Sequence, residues 1–309
     1  MNSPSLIVQL FGALANALLV LLLAPFFEGI LRKLTARIQS RQGPPLWQPY
    51  FDLLKLLGKE DLESAESPVM QRFAATLAFA VPLALAGMLP FGYGAPLDPS
   101  VDVLVLVYLL ALSSIATLLA GLAAGSTFSL LGISREMMLI ITLEPLLVVA
   151  LLVGAVHVDS LRINDVLNGS VFAASHFPIS GLIMLGLLFF ALQAFLKRLP
   201  FDIAEAETEI MEGPMVEYSG PKLALFKHAQ MAKLILYGAI LINLFVPWGN
   251  QFVFPLNIAI FWLKVTLLVI LATWIAATHA RYRIDQAVRT FAVLLGISAV
   301  ALVLATLGY

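Results

Sequence analysis

Six of the chain's 19 acids, Asp202, Glu205, Glu207, Glu209, Glu212 and Glu217, crowd into one segment. That segment, residues 197–220, reads KRLPFDIAEAETEIMEGPMVEYSG. If 202–212 is helical, Asp202, Glu205, Glu209 and Glu212 stand at i, i+3, i+7 and i+10, on one stripe. Carboxylates set so close repel, and each raises its neighbours' affinity for protons. Such a stripe persists when it is solvated, when it is paired with bases, or when it holds and passes protons. The flanking Leu199-Pro200-Phe201 and Gly213-Pro214-Met215 are apolar and rigid, unlike a solvated tail. Two further acids lie in apolar sequence. Glu144 stands about ten residues into one such run, roughly 15 Å deep at the helical rise. Pro145 follows it and weakens the helix there, which frees a carbonyl. Glu136 lies two turns earlier on nearly the same face, and its neighbour Arg135 is placed to pair with an acid. A charge inside a bilayer is costly, so an acid there reads first as functional. Lys264, also inside an apolar run, can snorkel or pair with a buried acid. Glu28 ends the first run, and His228 lies close enough to the acidic segment to join it. The four histidines show no metal-ligand spacing, so neither a metal site nor a catalytic residue is expected in this chain.

The elements that hold these residues are predicted to be membrane helices. Of 309 residues 61% are hydrophobic and only 12% charged, with a mean hydropathy of +0.96. A soluble domain carries about a quarter charged residues. Eight stretches are long enough to span a bilayer, near 6–28, 71–90, 101–123, 134–156, 179–197, 231–248, 255–279 and 289–307. All of the 18 bases except Arg162 and Lys264 fall in, or border, the odd-numbered loops. The positive-inside rule makes those loops cytoplasmic and puts both termini on the opposite side. The expected fold is therefore all-α: a single integral membrane domain over 1–309, with about eight spans and long cytoplasmic loops. Within residues 32–70, Tyr50, Leu53, Leu54 and Leu57 recur at helical spacing between charged residues, as in a helix lying in the interface or against a partner. The formal net charge of −1 argues against nucleic acid. With no cysteine, the chain cannot ligate an iron–sulfur cluster through thiolates, so a redox centre must sit in a partner.

Three loop stretches, in order, resemble one family. Residues 36–44, ARIQSRQGP, resemble the R-x-x-x-R-x-GP signature of the NADH dehydrogenase subunit 1 family, a membrane protein of respiratory complex I. LPFD at 199–202 through EYSG at 217–220 resembles that family's PFD-x-x-EAE…EYSG loop. RYRIDQ at 281–286 resembles its R-(F/Y)-R-x-DQ element. Within the family, GSTF at 125–128, GISRE at 132–136 and LEP at 143–145 are similar to the corresponding run of group 4 energy-converting [NiFe]-hydrogenases. These include the formate hydrogenlyase, Ech-type and membrane-bound hydrogenase complexes. Glu212-Gly213-Pro214 stands where quinone-reducing relatives have an A-G-F-type sequence.

The resemblance implies a membrane-anchor and ion-coupling subunit of the prokaryotic plasma membrane. Soluble large and small hydrogenase-type subunits would carry the nickel–iron centre and the iron–sulfur clusters, and antiporter-like membrane subunits would stand beside it. Asp202, Glu205, Glu207, Glu209, Glu212 and Glu217 would form the mouth of a proton or sodium path that Glu136 and Glu144 continue. Arg37, Arg41, Arg135, Arg281, Arg283 and Asp285 would hold the docking surface. The alternatives are a quinone-binding subunit of complex I, a passive anchor whose acids only satisfy partner bases, and a transporter acting alone.

Overall fold

The structure is a computed structural model that describes residues 6–62, 67–98, 101–172, 176–250 and 252–309. Eleven α-helices account for about three quarters of the described residues. They are α1 (Leu6–Ile38), α2 (Gln48–Leu57), α3 (Pro68–Met88), α4 (Val103–Ala124), α5 (Thr127–Val158), α6 (Ile163–Val166), α7 (Ile179–Phe195), α8 (Glu207–Ile210), α9 (Gly220–Phe245), α10 (Leu256–Thr278) and α11 (Ile284–Thr306). Among the described residues no strand forms, and one isolated bridge joins Asp102 to Arg162. Seven helices are long and apolar enough to cross a membrane, and α7, at 17 residues, is a shorter apolar one. The eight predicted spans each fall on one of these eight helices.

The helices run further than apolarity alone indicates. α1 continues past residue 28 to Ile38, α5 begins at Thr127 rather than 134, and α9 begins at Gly220 rather than 231. The added turns of α1 and α9 carry charged residues, which a hydropathy reading excludes. Arg32 pairs there with Glu28 and Asp52, Lys222 with Asp61 and Lys227 with Glu212. Pro145 does not interrupt α5.

Lipid exposure explains the outer surface. Ile7, Phe11, Leu14, Leu18 and Leu22 form an exposed apolar row along α1, as expected where the solvent is hydrocarbon. Inside, small residues bring helices close. Ala74, Ala75 and Ala78 of α3 meet Ala116, Ala120 and Ala124 of α4, the small-residue packing of membrane helices. α9 is the central column, packed by α1, α2, α3, α7 and α10, and nearly all of its apolar window is buried.

Loops meet at two ends, alternating as the charge pattern predicts. At the basic end the Tyr282 amide donates to the Pro200 carbonyl at 2.9 Å. At the other end the Val103 amide donates to Leu161, and the His176 amide to Gly308 at 3.0 Å. The start of α1 also lies at that second end, where Gln9 donates to the Asp98 carbonyl. Lys264 is there too, and its ammonium donates to the carbonyls of Val246 at 2.6 Å and Trp248. It therefore caps the C-terminus of α9 rather than pairing with an acid.

Among the described residues between α1 and α3 one helix forms, α2, and two of its faces are apolar. Pro49 and Leu53 point inward, while Trp47, Phe51 and Leu54 are exposed. α2 lies against α1: the Tyr50 hydroxyl donates to the Leu22 carbonyl, and Trp47 packs on Phe26 at 5.7 Å. The Leu46 carbonyl comes so close to Gly29 that a Cβ there would sit 2.0 Å from its oxygen. Glycine at position 29 is therefore what lets α2 dock.

Candidate functional site

The acidic segment is not a helical stripe. Residues 202–206 are irregular, with a turn at 204–205, and Glu207–Ile210 is helical for a single turn. A bare row of four like charges is unstable without partners. Instead the chain separates the acids and gives four of them a base, three of these from outside the segment. Asp202 takes Arg281, from the loop before α11, in a two-point pair at 2.7 and 2.6 Å, and Arg281 also donates to Thr208 at 2.9 Å. Glu209 takes Arg135 of α5 at 2.6 Å, with Arg281 at 3.9 Å. Glu212 takes Lys227 of α9 at 3.2 Å. Glu205 takes Lys197, just past the end of α7, at 3.1 Å. Tyr282 stacks on Phe201 at 5.1 Å and fixes the loop before α11 against the segment. Glu217 is exposed, and the side chain of Glu207 lies outside the described residues.

Backbone geometry aims Lys197 inward. It adopts φ +51°, the left-handed conformation that terminates helices, and its amide closes on Ala194 while Arg198 closes on Gln193. The ammonium then lies 2.7 Å from Glu136 and 3.1 Å from Glu205. Glu136 is 4% exposed, so it is a buried acid rather than one at the water boundary. Gln230 of α9 donates to the second oxygen of Glu205 at 2.7 Å, which satisfies that carboxylate on both sides. Burial by itself would raise the Glu205 pKa. The charge of Lys197 and the hydrogen bonds from Lys197 and Gln230 outweigh burial and hold it below the ordinary carboxylate value. At Glu209 the hydrogen bond from Arg135 does most to depress the pKa.

Two cavities share this cluster. The first, about 250 Å³, opens between α1, α3, α4 and α9, and Glu28, Arg198, Glu205, Glu212, Lys227 and Gln230 line it. On its α1 side Glu28 accepts from Arg198 and, at 3.1 Å, from Arg32. Arg32 goes on to Asp52 of α2 at 2.9 Å. Glu28 is thus a paired internal acid and not one that reaches water. The second cavity, about 40 Å³, lies deeper, between Ser114, Glu136, Glu144, Phe201 and Tyr237. It has room for a water or two. Lys197 and Lys233 line both cavities. Glu144 uses Ser114 as a hydrogen-bond partner, and its Oε1 is buried without one. Glu136 and Glu144, two turns apart on α5, do face one site, as their spacing implied.

Other expected residues stay apart from the cluster. His228 does not join the acids: its ring bonds the Leu21 carbonyl at 3.0 Å and packs on Phe79, because position 228 faces α1 and α3. Arg283 pairs with Asp285 at 3.5 Å, and both are largely exposed. Arg41 donates to Gln39 on the surface, and Arg37 lies in the last turn of α1. These four sit at the basic end but outside both cavities. The sequence reading missed Ser114, Gln230, Lys233 and Tyr237 as site residues. The signal was present, since Lys227, Gln230, Lys233 and Tyr237 fall on one face of the otherwise apolar α9.

The NADH dehydrogenase family matches residues 11–306 of this chain. The chain belongs to that family. It is 36% identical to "Hydrogenase-4 component C" of Escherichia coli (strain K12), covering 87% of this chain and 85% of that one. It is 33% identical to "Formate hydrogenlyase subunit 4" of the same organism, over 88% and 91%. It is 35% identical to "NADH-ubiquinone oxidoreductase chain 1" of Paracentrotus lividus, over 86% and 84%. The fold is that of a chain in the solved membrane-bound sulfane sulfur reductase, an archaeal respiratory membrane complex. Its TM-score is 0.82 over 95% of this chain and 99% of that one, at 23% identity. Family members of both the hydrogenase and the quinone-reductase kind are thus within similar distance of a chain built as a multi-pass membrane protein.

Proposed function

We propose that this chain is the membrane-anchor and ion-coupling subunit of an energy-converting hydrogenase complex, with its basic end on the cytoplasmic side of a prokaryotic plasma membrane. The observation that carries the reading is Lys197, whose ammonium ties Glu205 in the loop segment to Glu136 in α5. One cation there links a cavity open at the basic end to a deeper one that ends on Glu144. A charge change at the basic end alters the Lys197 pairing. That in turn changes the field at Glu144, inside a span where electrostatic effects are weakly screened. A passive anchor needs no buried carboxylate with an orphaned oxygen.

The soluble arm supplies the chemistry. The chain lacks cysteine, so thiolate-held iron–sulfur clusters, and the nickel–iron centre with them, belong to partner subunits. Antiporter-like membrane subunits would carry protons or sodium ions onward. The hydrogenase branch is favoured over the quinone branch by the segment wording at Glu212-Gly213-Pro214 and by the charged lining of the larger cavity.

Gentle-detergent purification through a tag on this chain tests the assignment. The expected result is co-purified nickel together with hydrogen evolution. Iron–sulfur partners without nickel, together with quinone reduction, would contradict it and move the chain to the quinone branch.

A further inference from the structure

The face of α9 that carries Lys227, Gln230, Lys233 and Tyr237 descends from the cavity mouth to Glu144, over roughly 15 Å at the helical rise. Its first two rungs are occupied, Lys227 by Glu212 and Gln230 by Glu205. Lys233 differs from both. It lines the two cavities, yet among the described residues it makes no hydrogen bond or ion pair. Its charge is felt by Glu136 and Glu144 of α5 and by Glu205 of the loop segment, and it is opposed by Lys197. Lys197 already holds Glu136. Glu144 has a buried oxygen with no partner. A cation without a fixed partner thus stands between one carboxylate that is taken and one that is open.

A lone ammonium inside a span is expensive. It persists where neighbouring acids offset the cost, and a side chain with four rotatable bonds can serve more than one of them. We propose that Lys233 is the movable counter-ion of the path. It swings toward Glu136 when Lys197 keeps Glu205 alone, and toward Glu144 when Lys197 holds both Glu136 and Glu205. Lys233 is then a positioning residue that carries the charge state of the outer cavity to the inner one without itself leaving the site. This inference rests on the coupling reading above and assigns it a specific part.

The test is made on the tag-purified complex reconstituted in liposomes, read as ions moved per hydrogen released. Lys233→Gln removes the charge at similar length, and Lys233→Arg keeps it. The expected result is a fall of at least about tenfold in that ratio for Lys233→Gln, with most of the ratio recovered in Lys233→Arg. Glu144→Gln, measured alongside, separates the two claims. If Glu144→Gln stops pumping and Lys233→Gln does not, the counter-ion role is overturned and the coupling reading stands. If neither variant changes the ratio, both fail. Should the Gln variant not assemble, Lys233→Arg alone remains decisive: a pumping ratio lost in an assembled, charged variant would overturn the exchange of partners, because packing and charge are then both present.

Discussion

Among single residues, burial and partners set what each charge of the site can do. Lys197 is the most open to test, because the buried Glu136 and the partly buried Glu205 both depend on it. Lys197→Met leaves Glu136 and Glu205 without their cation, and breaking a buried pair costs about 3–5 kcal/mol. A clear drop in the thermal midpoint in detergent is the expected outcome, partly restored by adding Glu136→Gln. An unchanged midpoint would mean the carboxylates find another partner. Acid should act on the same cluster. The folded-state pKa of Glu205 is depressed, so its contribution to stability is complete above the unfolded carboxylate value of about 4.3. It is lost as the pH falls through that value toward the lower folded one. Stability of the wild type should therefore decline below about pH 4, and Glu205→Gln should flatten that decline in pH-dependent unfolding. Glu209→Gln should change it little. Glu209 is depressed as well, but its side chain is 49% exposed, and exposed pairs contribute at most about 1 kcal/mol.

At the scale of elements, α2 and the acidic segment are the parts whose shape was hardest to read ahead. The apolar spacing of Tyr50, Leu53, Leu54 and Leu57 marked a helix, but not that Leu54 faces outward beside Trp47 and Phe51. A helix lying in lipid can be apolar on two faces, and periodicity then loses its direction. Docking is set by Gly29, where no side chain fits under the Leu46 carbonyl. Gly29→Ala should detach α2 from α1, so trypsin should cut faster at Lys55 and Lys59 while the spans stay intact. Equal cleavage rates in wild type and variant would show that α2 is held elsewhere. In the acidic segment the spacing of Asp202, Glu205, Glu209 and Glu212 suggested one face. Of the bases that separate them, Lys197 and Lys227 lie near the segment in sequence, whereas Arg281 and Arg135 stand 79 and 74 residues from their acids. No local pattern reports those two partners. Gly213, at φ +53° with its Cα side against the Ala204 carbonyl, completes a turn that a helical reading cannot contain.

At the scale of the whole molecule, much more was legible. Apolar runs of bilayer length and the placement of Arg and Lys give the spans, their alternation and the common end at which both termini lie. Those are the features that lipid imposes on any chain. Glu144 and Glu136 were also visible, since an acid in apolar sequence stands out by composition alone. What linked them was not visible. The ion pairs from Glu205 through Lys197 to Glu136, and the cavity that Glu136 shares with Glu144, bring together α5, α9 and the segment between α7 and α9, and they form only once these pack. We propose that these contacts couple the soluble arm to ion movement. The most direct measurement is ion transport by the reconstituted complex carrying Glu144→Gln, with hydrogen evolution from an artificial donor followed in the same sample. Transport abolished while hydrogen evolution continues is the predicted result. Transport at the wild-type ratio to hydrogen released would contradict it.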